Sequence, residues 1–99
     1  MEDTVERVAV DLLRLATTKL PKDVKEALQR AYREEESEIG KIQLETILSN
    51  VELAEKTGTP ICQDTGTIIF YVKAGAQAKN LGEIAEALRR ATKIATEIV

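Results

Sequence analysis

The sequence predicts an α+β chain, mostly helical, with about four helices and one buried strand that follows a turn at Cys62. Three observations carry that reading. Apolar residues recur at helical spacing through Lys56 and again after Asn80. Between those stretches Ile68, Ile69, Phe70, Tyr71 and Val72 are consecutive, β-branched or aromatic, the texture of a strand covered on both faces. Pro21, Gly58, Pro60 and Gly75 stand where such elements would have to end or turn.

The first helix is expected to begin near residue 4. Asp3 with Glu6 has the spacing of a capping box, and Val5, Val8, Ala9, Leu12 and Ala16 line one face. Leu20-Pro21 marks its stop, because the residue before proline avoids the helical region. Pro21 then suits the first turn of a second helix, with Val24, Ala27, Leu28, Ala31 and Tyr32 as its inner stripe. Ser37 caps a third helix to Lys56, preceded by the acidic run Glu34, Glu35 and Glu36, which suits a helix's positive end. Its inner face is Leu44, Ile47, Leu48, Val51 and Ala54, and Gly58 is its left-handed stop. Lys73 to Lys79 connects the strand to a fourth helix, capped by Asn80 with Glu83 and lined by Leu81, Ile84, Ala85, Leu88, Ala91, Ala95 and Ile98. Tyr32 and Tyr71 read as packing residues. Arg89 and Arg90 read as solvated or paired with Glu83 and Glu86.

Ninety-nine residues allow a single domain, 1–99, and nothing larger. Net charge is −3, against a phosphate-tracking surface, and aromatics at 3% leave no base-stacking platform. No apolar run reaches the roughly 20 residues that cross a bilayer. No signal peptide is evident, and a lone thiol suits a reducing cytoplasm. The chain has no histidine, so it lacks the commonest general base and zinc ligand. It has one cysteine, Cys62, which excludes any internal disulfide. Catalysis here must use carboxylates, the thiol, hydroxyls, amides or groups from another chain.

Those groups converge at Pro60-Ile61-Cys62-Gln63-Asp64-Thr65-Gly66-Thr67. A thiol, an amide, a carboxylate and a hydroxyl stand side by side in a turn, the kind of loop on which functional groups commonly sit. A non-functional reading makes this a tight turn with one buried, inert cysteine, inside a helical interaction module. A thiol nucleophile is a further reading, but it needs a neighbouring base that a histidine-free chain is poorly placed to supply.

The same eight residues, followed by the apolar run Ile68 to Val72, resemble the Cys-Gln-Asp-Thr-Gly signature of class I fumarate hydratases and of L-tartrate dehydratase α subunits. Leu20-Pro21, the stretch Glu36 to Lys41, Asn50, Ala54, Asn80-Leu81 and Arg89-Arg90-Ala91-Thr92 extend the resemblance over essentially the whole chain. It implies an iron–sulfur hydro-lyase of the [4Fe–4S] type, with Cys62 as one thiolate ligand. It further implies that Gln63 binds a substrate carboxylate and that Asp64 contacts substrate and shares in proton transfer. Thr65 and Gly66 carry over only as shapers of the turn.

The other two cluster cysteines are absent from these 99 residues, as is the Pro-Leu-Arg-Pro-type segment found further along in the family. The resemblance therefore implies the opening piece of a longer α/β subunit, working with a β subunit or C-terminal domain on a small dicarboxylic acid. On its own the chain is expected to hold no cluster, to show no hydratase activity and to self-associate through its uncovered apolar surface.

Overall fold

The computed structural model describes residues 2–64 and 66–99, with side chains from Thr4 onward. Among the described residues four helices follow one another: α1 (Glu2–Thr18), α2 (Lys22–Glu34), α3 (Glu38–Thr57) and α4 (Leu81–Ile98). The chain divides into two compact units. One comprises Leu15–Gln63, the other Met1–Arg14 with Asp64–Val99.

In the first unit α2 packs on α3. The start of α3 is built as its sequence demands. Ser37 Oγ accepts from the Gly40 amide at 3.2 Å, and Glu35 Oε1 accepts from the Ser37 amide at 2.9 Å. These bonds satisfy donors that a helix leaves without intrahelical partners. At the other end Gly58 takes the left-handed conformation, φ 69° and ψ 29°, and its amide returns to the Ala54 carbonyl. Val51 and Ala54 are buried, whereas Leu44 and Leu48 are half-buried and Ile47 is exposed. The α2 stripe is thinner than its spacing suggests, for no residue of that helix is fully buried. Leu28 and Tyr32 are half-covered, and the Lys41 ammonium lies 4.9 Å from the centre of the Tyr32 ring. Glu55 of α3 faces both Lys19 and Lys25, at 3.7 and 3.8 Å.

In the second unit the buried residues are Ala9 of α1 and Ala87, Ala91 and Ala95 of α4. The alanines of α4 recur every fourth residue, giving a smooth ridge rather than the large aliphatic stripe the sequence suggests. Leu81 and Ile98, assigned to that stripe, are exposed. Arg89 pairs with Glu86, as expected, and Arg90 lies 3.8 Å from Glu6 of α1.

Three further expectations need correction. The α+β class does not hold, because no strand is present among the described residues and 67–75 carry no regular structure. The physical reason is partnership: a strand exists only through pairing to a neighbour, and among the described residues none is paired in that way. Nor is that run buried. Ile69 is 64% exposed and Tyr71 93%, so Tyr71 is not a packing residue. The connection beyond it does form, closed by the Ala78 amide on the Gly75 carbonyl at 3.0 Å.

Asn80 does stand at the entry to α4, yet its side chain makes no cap bond. It adopts φ 62° and ψ 40°, whereas a side-chain cap requires extended backbone at that position. Its carbonyl instead receives the Glu83 amide at 3.0 Å. Finally, α1 begins at Glu2, ahead of the expected start, and the Asp3 side chain of the proposed capping box lies outside the described residues.

Candidate functional site

The chain leaves α3 through the left-handed Gly58 and doubles back beside the helix. Thr57 Oγ1 and Thr59 Oγ1 lie 2.8 Å apart, and the Thr59 amide bonds the Ala54 carbonyl at 3.1 Å. Pro60 prevents any further helical turn. By Ile61 the backbone has returned to the level of Asn50, about two turns back along α3. There Asn50 Nδ2 donates to the Ile61 carbonyl at 2.7 Å. The Ile61 amide donates in turn to the Thr17 carbonyl at 2.9 Å, one of the last carbonyls of α1, which lack intrahelical partners. Both polar backbone groups of Ile61 are thus engaged, by two different helices.

Immediately beyond this pinned residue come Cys62 and Gln63, both on the bend and both exposed. The buried, inert cysteine of the interaction-module reading is therefore not what the fold contains. Asp64, which opens the second segment of the other unit, is exposed as well. Its Oδ1 accepts from the Gly66 amide at 3.1 Å, closing an Asx turn. Gly66 has φ 76°, a conformation that an L side chain rarely adopts, which is its structural use here. Thr65, expected to shape the same turn, lies outside the described residues.

The arrangement presents a soft thiol donor, amide donors and a carboxylate to solvent. No group of three or more His, Cys, Asp or Glu side chains that could hold a metal ion exists among the described residues. Cys62 is an accessible sulfur that follows a backbone held at Ile61. Sequence reasoning reached Cys62, Gln63 and Asp64, but it gave Asn50 no role. A side chain that bonds a backbone carbonyl eleven positions away leaves no local pattern to read.

The family model described as "Fumarate hydratase (Fumerase)" matches residues 6–99. The chain belongs to the fumarate hydratase family. Within the family it is 42% identical, over 97 residues, to a protein of Methanocaldococcus jannaschii named "Putative L(+)-tartrate dehydratase subunit alpha". That match covers 96% of this chain and 34% of the relative. It is 35% identical over 89 residues to the L(+)-tartrate dehydratase subunit alpha of Escherichia coli K12, covering 90% of this chain and 29% of that subunit. The subunit of the same name from Shigella sonnei matches with the same identity and coverage, 35% over 89 residues. The chain spans about a third of the length of these fumarate hydratase family relatives. Among the described residues no helix is long and apolar enough to cross a membrane.

Proposed function

We propose that this chain contributes Cys62, Gln63 and Asp64 to the active site of an iron–sulfur hydro-lyase acting on a small hydroxy-dicarboxylic acid, with fumarate and tartrate as the candidate substrates. One observation supports the reading above others: family membership coincides, at residues 62–64, with three exposed and chemically distinct side chains following an anchored backbone.

Cys62, as its thiolate, holds one position of a [4Fe–4S] cluster whose other protein ligands lie outside these residues. Such a cluster, when bound, would supply Lewis acidity toward a substrate oxygen. The protein's own contribution is positioning and proton movement. Gln63 donates its amide N–H groups to a substrate carboxylate. Asp64, oriented by the Gly66 amide on Oδ1, takes part in moving the proton that accompanies loss or addition of water. The remainder of the α subunit and a second subunit or C-terminal domain complete the site. A cytoplasmic location fits the requirement for a reduced thiol.

The test is anaerobic purification of the holoenzyme that contains this chain, with iron and sulfide counted per chain and turnover measured on fumarate and L-tartrate. Bound iron and sulfide that disappear in Cys62→Ala, together with turnover of either acid, support the reading. Wild-type holoenzyme without them, or Cys62→Ala with full activity, overturns it. The isolated 99-residue chain is expected to show neither cluster nor turnover.

A further inference from the structure

We propose that Asn50 is a positioning residue for the Cys62–Gln63 turn, acting through the Ile61 carbonyl. The role in catalysis rests on the hydro-lyase reading above; the mechanical role rests on the fold alone. Ile61 is the last residue before the thiol, and both its polar backbone groups are held. Its amide is bonded by the Thr17 carbonyl at 2.9 Å and its carbonyl by Asn50 Nδ2 at 2.7 Å. The first bond is main chain to main chain, so it is insensitive to which side chain stands at position 17. The second depends on one side chain. Asn50 lies mid-way along a helix capped at both ends, so its Cα is fixed before the bond forms.

The peptide unit linking Ile61 to Cys62 contains the carbonyl that Asn50 grips. Holding that oxygen sets the plane of the Cys62 amide, and with it the direction in which the Cys62 and Gln63 side chains leave the backbone. A metal ligand and a substrate-binding amide both need such preorganisation, because small displacements weaken several bonds together.

Asn50→Asp keeps the shape and removes the donor, placing an oxygen against the Ile61 carbonyl. Asn50→Gln keeps an amide donor on a longer, exposed stem. Two measurements read the effect. In the 15N-labelled chain, Asn50→Asp is expected to shift the Cys62 amide resonance and to speed Ile61 amide exchange roughly five-fold, the scale of one lost hydrogen bond. In the anaerobic holoenzyme it is expected to raise KM for the diacid about ten-fold, with a smaller fall in kcat, as misdirection of Gln63 requires. Asn50→Gln is expected to stay within about two-fold of wild type on both, since an amide donor persists.

Unchanged Ile61 and Cys62 resonances in Asn50→Asp overturn the anchor while leaving the hydro-lyase reading intact. Shifted resonances with unaltered KM in an active holoenzyme overturn its catalytic weight. A wild-type holoenzyme lacking iron, sulfide and turnover overturns the hydro-lyase reading instead, and the resonances then decide the anchor on their own.

Discussion

Asp64 separates structure from chemistry unusually well. Its Oδ1 closes a turn on the Gly66 amide, and an asparagine offers an equivalent oxygen to that donor. Asp64→Asn is therefore expected to leave the circular dichroism of the chain unchanged while holoenzyme turnover falls about 100-fold or more, the usual worth of a proton-transfer group. Full activity in that variant removes Asp64 from the proton path. Gly58 offers the opposite kind of test. Apart from Gly58 itself and its chain neighbours, no described heavy atom lies within 4 Å of the position a Cβ would take, so a methyl group meets no clash there. What it meets is the backbone, at φ 69°. Gly58→Ala is expected to cost about 1 kcal/mol in urea unfolding, entirely from the left-handed conformation.

At the scale of elements, α3 is the scaffold on which the site depends, since it supplies both the exit at Gly58 and the side chain at Asn50. Ser37→Ala removes the cap at its start and is expected to lower stability by about 1 kcal/mol, read as a shifted denaturation midpoint with unchanged slope. In α4 the fully covered Ala91 stands in the middle of the alanine ridge. Ala91→Leu is expected to destabilise by about 1–3 kcal/mol, because a packed surface of small residues has no room for the extra isopropyl group.

The helices were legible because periodicity and capping are local properties, carried by Ser37, Gly58 and the apolar repeats themselves. The strand was misread because Ile68 to Val72 state only that the segment is apolar and extended; pairing is decided by what lies beside it. Asn80 was half legible. Its place at a helix entry could be read, but its left-handed backbone, which forfeits the side-chain cap, could not. The candidate site was visible because Cys62, Gln63 and Asp64 are neighbours in sequence, and its anchor was not, because Asn50 and Ile61 become neighbours only when the chain reverses.

Across the whole molecule, the buried apolar residues among those described are five alanines and Val51, while Leu12, Leu15, Ile39, Leu53 and Ile69 are each more than half exposed. Burial of a methyl group contributes far less than burial of a leucine or isoleucine side chain, so the isolated chain has little hydrophobic stabilisation of its own. It is expected to bind 8-anilinonaphthalene-1-sulfonate through its exposed apolar side chains and to unfold at a lower temperature than the holoenzyme. A dye-silent isolated chain as heat-resistant as the holoenzyme would contradict that reading.

The accessibility of Cys62 also has a consequence for handling the protein. Cys62 is the one cysteine of these 99 residues, so they form no internal disulfide and oxidation by air joins the exposed thiol to a second molecule. Aerobic preparations are expected to accumulate a covalent pair that runs at twice the chain's mass on a non-reducing gel and vanishes with dithiothreitol. Any stoichiometry measured without reductant then counts sulfur chemistry rather than folding, and the same oxidation removes the thiolate before iron can reach it.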